Sequence, residues 1–162
     1  MKANVRAANA KDLGPLAGLC AEVQAWHAAT YPAYFQPNPL EAELADFFAE
    51  KLGEDGTHIF LSEFLSEDAG SPAGYLFCRV IDRQPGLFHR ARRRLLIEHV
   101  GVAAAHRRQG HATALFAAAK ELAQREDCHD LSLDTWEANA AAQAFFEGQG
   151  FTQQRRLYAK AL

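Results

Sequence analysis

Nowhere in the 162 residues does an apolar run approach the roughly 20 residues of a membrane span, so no membrane partner is expected. Cysteine is scarce and odd in number. Cys20, Cys78 and Cys128 stand far apart with no Cys-x-x-Cys, which excludes a disulfide framework and a zinc ribbon and fits reduced thiols. The seven histidines are scattered, without His-x-x-x-His or Glu-His pairs at ligand spacing, and no metal is expected. An excess of positive charge is also missing. A net charge of -3 and a pI near 6.1 argue against a general nucleic-acid binder. Gly-x-Ser-x-Gly is absent, which sets aside a serine hydrolase. Met1 to Arg6 holds no signal-peptide stretch, so the expected location is cytoplasmic. There is no internal repeat, low-complexity run or linker, and residues 1–162 read as a single domain.

What is present suits a packed core: 49% apolar and 23% charged residues. Lys2 to Ala8 reads as a short strand. Asn9 is a helix cap with Asp12 three residues on, and Leu13, Leu16, Leu19, Cys20, Val23 and Trp26 recur at helical spacing to about Ala29. Three prolines break Thr30 to Pro39. Asn38-Pro39-Leu40-Glu41 then restarts a helix whose buried side is Leu40, Leu44, Phe47, Phe48 and Leu52. His58 to Leu65 and Gly74 to Asp82 read as strands of a hairpin around a polar turn, Ser66 to Pro72. A basic connection, Arg83 to Arg94, leads to an apolar strand, Leu95 to Val102. A helix from Gly110 to about Arg125, a strand from Leu131 to Thr135, a helix from Asn139 to Glu147 and a last strand from Phe151 to Lys160 complete the chain. The strand 95–102, helix 110–125 and strand 131–135 make a βαβ unit, which wants parallel strands, whereas the hairpin wants antiparallel ones. The expected architecture is α/β (α+β): a mixed, twisted sheet of about six or seven strands with helices on both faces.

Between Val102 and Leu115 lies Arg107-Arg108-Gln109-Gly110-His111-Ala112, and no acid occurs from Ala103 to Lys120. The first amide N–H groups of the following helix have no partner inside it. With the positive end of the helix dipole and two guanidiniums they form a site for a polyphosphate. A solvated basic loop capped by water is the other reading of the same charges. The spacing matches neither a Walker loop nor a Rossmann fingerprint.

Arg107-x-x-Gly110-x-Ala112, directly after a strand ending Val100-Gly101-Val102, resembles the coenzyme A loop of the GNAT superfamily of N-acetyltransferases. A second motif of that family is matched downstream by Leu131 to Asn139, Ala142, Phe145-Phe146 and Gly150-Phe151. The specific likeness covers Leu95 to Phe151, and the order of elements extends it over nearly the whole chain. The resemblance implies a splayed pair of parallel strands and acetyl-CoA as acyl donor. It further implies direct transfer to a primary amine of a small molecule or protein, and a homodimer of the kind common in the family. The donor would be held by Val100, Gly101, Val102, Arg107, Arg108, Gln109, Gly110, His111, Ala112, Thr113, Asn139 and Phe146. A strand interior weakened by Gly101 suits close backbone approach, or else simple packing against the next helix. Asn139 could equally be a helix N-cap.

Transfer needs a base, because a free amine is mostly protonated at neutral pH. Glu98, the only acid from Leu95 to Val102, is the first candidate, and it shares strand parity with Val100 and Val102 unless a bulge intervenes. Its alternative is an ion pair with a nearby arginine. His99 is the runner-up, pointing to the opposite face if the strand is regular. Many family members carry a tyrosine that protonates the leaving thiolate, but the matching place here is Phe146. Tyr158, Tyr31, Tyr34 or a water would have to substitute, with Tyr158 the catalytic candidate. The missing hydroxyl also motivates an alternative, a non-catalytic acyl-CoA-binding or regulatory module. The aromatic segment with Trp26, His27, Tyr31, Tyr34 and Phe35 is read as covering the acceptor, and His27, Tyr31 and Phe35 as binding it.

Overall fold

A computed structural model describes residues 3–37, 39–64 and 72–160. It contains five strands and four helices in the order β1 (Ala3–Ala7), α1 (Leu13–Thr30), α2 (Glu41–Leu52), β2 (Thr57–Phe64), β3 (Gly74–Arg83), β4 (Arg92–Val102), α3 (His111–Arg125), β5 (Asp130–Leu133) and α4 (Ala140–Gly148). The sheet runs β1-β2-β3-β4-β5. The first three pairings are antiparallel and β4–β5 is parallel. Its two faces carry separate cores. Leu16, Cys20, Phe48, Tyr75 and Phe77 pack between the sheet and α1/α2. Leu76, Leu95, Ile97, Leu115, Phe116 and Phe146 pack between the sheet and α3/α4. The mixed sheet with helices on both faces is therefore present.

Local capping follows side-chain chemistry. Asn9 accepts from Lys11 N, while the Asp12 carboxylate returns to Asn9 N at 2.8 Å and also takes two bonds from Arg6. Burial of Asp12 is compensated by those donors, and the Arg6 guanidinium holds its carboxyl below the usual range. Helix α2 starts later than expected. Glu43 accepts from Leu40 N at 3.0 Å, so Leu40 is the cap and Pro39 lies outside the helix. The expected cap Asn38, and Leu65 to Ser71 of the expected strand end and turn, lie outside the described residues.

The expected last strand does not form. Phe151 is tied to the aromatic core through Phe116 and Phe146, but the chain beyond it has no regular structure to Lys160. Its alternation is poor: Leu157 and Tyr158 are adjacent, and both are exposed. Without an alternating apolar face there is nothing to bury against a sheet edge, so the described sheet has five strands rather than six or seven.

Parallel pairing of β4 with β5 stops early. The register runs from Arg94↔Asp130 to Ile97↔Leu133, while β4 continues to Val102 on its β3 side. From Glu98 to Val102 the β5-side edge of β4 has no strand partner among the described residues. The splay implied by the family resemblance is thus present, and it opens at Glu98.

Candidate functional site

Three chain segments meet at the splay. The first is β4 itself. Its pairing with β3 passes from Cys78↔Ile97 to Phe77↔His99, so Glu98 is an extra residue, a β-bulge. This corrects the strand count made from the sequence. Val100 packs with the α3/α4 core, whereas Glu98 bonds to Arg79, two residues along β3 from Phe77 on the α1/α2 side. Glu98 therefore does not share a face with Val100. His99 is also on the α1/α2 side, stacked on Phe47 at 6.1 Å and edge-on to Phe77 at 5.7 Å. The bulge sets Glu98 and His99 on one face instead of opposite ones.

Glu98 is engaged. Arg79 donates from Nε at 2.5 Å and pairs through Nη2 as well, while Glu54 approaches the same guanidinium. His99 is freer. Its Nδ1 lies 4.0 Å from Cys20 Sγ, and Nε2 has no bond among the described residues. Burial lowers its pKa below the ordinary value. Glu98 opposes that effect and the neighbouring His27 adds to it, so the imidazole is neutral at pH 7. Gly101 lies further along the strand. A Cβ there would stand 2.7 Å from Val23 Cγ2 and 2.8 Å from Tyr75 Cε1, which is why this buried position needs glycine.

The second segment is the loop from Ala103 to Gly110. Its entry is fixed by Ala104 N donating to Glu22 at 3.1 Å and by Ala103 N donating to Ala73 O. Gly110 adopts φ +88°, a left-handed conformation that glycine accepts without strain, and nothing stands within 4 Å of where its Cβ would be. The first helical bond is Ala114 N to Gly110 O, and no side chain caps the N–H groups of His111, Ala112 and Thr113. Arg107, Arg108 and Gln109 are exposed beside them. Arg107 Nε folds back onto Val102 O at 3.2 Å, covering the end of the splayed strand. The His111 side chain is buried at 1% exposure against Phe64, with its ring nitrogens unpartnered among the described residues, so its backbone is what faces the loop. Open space, uncapped amides and two guanidiniums fit a pyrophosphate.

The third segment closes the other face. His27 stacks on Phe35 at 4.7 Å. Phe35, Tyr31 and Tyr34 each meet Trp136 in the loop after β5, at 5.2, 4.4 and 5.4 Å. Tyr31 Oη accepts from Ala138 N at 2.9 Å, next to Asn139. Asn139 caps α4, accepting from Ala142 N at 3.2 Å. Trp136 was not singled out by the sequence reading as a site residue. Its only signal was a large aromatic in an otherwise polar stretch, Asp134 to Asn139.

Two further expected residues differ sharply in exposure. Phe146 is 8% exposed within a cluster of Phe116, Phe145 and Phe151. Tyr158 is 84% exposed in the irregular tail. Among the described residues no group of three or more His, Cys, Asp or Glu could hold a metal ion, and no helix is long and apolar enough to cross a membrane.

A family model described as "Acetyltransferase (GNAT) family" matches residues 20–151. Solved structures share the fold. The BH1408 protein of Bacillus halodurans, studied as a tetramutant, is 17% identical with a TM-score of 0.87, over 98% of this chain and 99% of that one. Aminoglycoside N-acetyltransferase AAC(6')-Iy, solved with CoA, is 17% identical with a TM-score of 0.75, over 99% and 95%. An acetyltransferase of Trypanosoma brucei is 20% identical with a TM-score of 0.69, over 99% and 100%. No curated protein matches the chain.

Proposed function

This chain belongs to the GNAT acetyltransferase family, and we propose that within it the protein transfers an acetyl group from acetyl-CoA to a primary amine of a small molecule or protein. The observation that carries this reading is the junction of an uncapped α3 N-terminus, a basic loop and an unpartnered strand edge. The amides of His111 to Thr113 with Arg107 and Arg108 would hold the pyrophosphate. The free edge of β4 from Glu98 to Val102 would pair with the pantetheine arm, and Asn139 would flank it. When bound, acetyl-CoA supplies a thioester whose acetyl group passes to the amine as the C–S bond breaks and a C–N bond forms.

The proton released by the amine needs an acceptor. His99 fits that part better than Glu98, since it is neutral and unpaired at Nε2 while the carboxylate is held by Arg79. Water supplies the proton to the leaving thiolate in this reading, because Phe146 carries no hydroxyl and Tyr158 stands exposed in the tail. The neighbour AAC(6')-Iy, solved with CoA and with a bisubstrate analogue of an acetylated amine, is consistent with this chemistry. The buried, hydroxyl-free Phe146 favours one other reading, an acyl-CoA-binding module without turnover.

The test is a thiol-release screen with acetyl-CoA over amino acids, polyamines, aminoglycosides, arylalkylamines and peptides, with coenzyme A binding followed by thermal shift. Amine-dependent thiol release supports transfer. Binding without release across the panel supports the module. Absence of coenzyme A binding overturns both.

A further inference from the structure

The acceptor side of the splay is roofed by aromatic rings that join its two flanks. On the β4 flank His99 lies close enough to His27 for the two rings to interact electrostatically, and His27 stacks on Phe35. On the β5 flank Trp136 meets Phe35, Tyr31 and Tyr34. Trp26 extends the row, edge-on to His27 at 5.2 Å and to Tyr31 at 6.5 Å. The arch is anchored by the Tyr31–Ala138 bond, and its outer rings are open to solvent: Trp26 is 37% and Tyr34 67% exposed.

Charge on this face is as telling as the rings. The covering segment, Trp26 to Pro37, contains no acid and no lysine or arginine. Glu98, the carboxylate on the splayed strand itself, is ion-paired to Arg79. In the loop that bears Trp136, Asp134 lies 3.9 Å from Arg155. Glu137, exposed beside Trp136, has no ion partner among the described residues. A polycation is held by several carboxylates, and the covering segment supplies none. Aromatic faces attract a ring and a single ammonium through stacking and cation–π contact.

We infer that the acceptor is a primary monoamine carrying an aromatic or other flat apolar group, seated under the arch formed by His27, Tyr31, Phe35 and Trp136. This deepens the acetyltransferase reading and rests on it. The ring of the acceptor stacks against Trp136 and its amine reaches His99.

The chain has two tryptophans, Trp26 and Trp136, and both lie in the arch, so intrinsic fluorescence reports occupancy without any turnover. Full-length protein saturated with coenzyme A is titrated with 2-phenylethylamine, n-butylamine, spermidine and kanamycin. Saturable fluorescence change with 2-phenylethylamine is expected at concentrations about tenfold below those needed for the other three, with kcat/KM in the same order. Trp136→Leu should raise KM for 2-phenylethylamine about tenfold more than it raises KM for butylamine. Equal response to butylamine, or preference for spermidine or kanamycin, overturns the inference and leaves acetyl transfer standing. Coenzyme A binding with no amine altering fluorescence or releasing thiol also overturns it. Loss of coenzyme A binding in the wild-type protein overturns the underlying reading itself. A Trp136→Leu protein that fails to fold leaves the wild-type fluorescence titration to decide.

Discussion

Arg79 holds Glu98 on the α1/α2 face of the sheet, its Nε 2.5 Å from Oε1. That carboxylate is tied to the guanidinium, whereas Nε2 of the neighbouring His99 has no bond among the described residues. Glu98→Gln is expected to lower kcat less than about threefold, whereas His99→Gln lowers it about a hundredfold. Steady-state kinetics of both variants from about pH 6 to pH 9 check this. An equal or larger loss in Glu98→Gln would return the carboxylate to the base's role.

Mild acid should weaken the fold. Burial lowers the pKa values of His27, His99 and His111 below the ordinary 6.5. As pH falls through 6.5 the unfolded chain takes up protons that these folded-state groups refuse. Their contribution is therefore fully present above 6.5 and is lost as pH drops toward the depressed values. The urea midpoint should fall between about pH 7.5 and about pH 5.5, and His111→Phe should shallow that dependence. A flat profile in the wild type would contradict the neutral burial of these rings.

Gly101→Ala is expected to cost about 1–3 kcal/mol, because the added methyl meets Val23 and Tyr75 inside a packed face. Gly110→Ala meets open space but must hold φ +88°, so its cost is backbone strain of about 1 kcal/mol. Chemical denaturation distinguishes the two. Coenzyme A binding should weaken in both, through the strand edge in the first case and the helix start in the second.

Phe146→Tyr is expected to destabilise by about 1–3 kcal/mol without raising kcat. The ring is enclosed by Phe116, Phe145 and Phe151, so a hydroxyl there enters an apolar cluster. A rise in kcat with unchanged stability would show that this position reaches the reacting atoms.

Much of the fold was legible in the sequence because its signals are periodic. Leu115, Phe116, Ala119, Leu122 and Ala123 mark α3, and they line the core as expected. The loop from Arg107 to Ala112 was legible for a different reason: its glycine, small residue and cations each answer a local demand. The bulge at Glu98 was not legible. One extra residue changes which face every later side chain takes, and no composition marks it. The arch was half legible. The aromatic segment His27 to Phe35 stood out, but its partner Trp136 arrives from a loop over a hundred residues later, and only tertiary packing joins them. The last strand failed for want of an alternating face, since Arg155-Arg156-Leu157-Tyr158 offers no single side to bury.

The early end of the β4–β5 ladder carries a liability. From Glu98 to Val102 the strand edge is bare among the described residues, and such an edge is a template for any extended chain. Arg107 shields one carbonyl of it, that of Val102. On the proposed reading, a bound donor would do more than prepare a reaction: it would close that seam. Protein stripped of coenzyme A should self-associate more readily on storage than protein kept saturated with it.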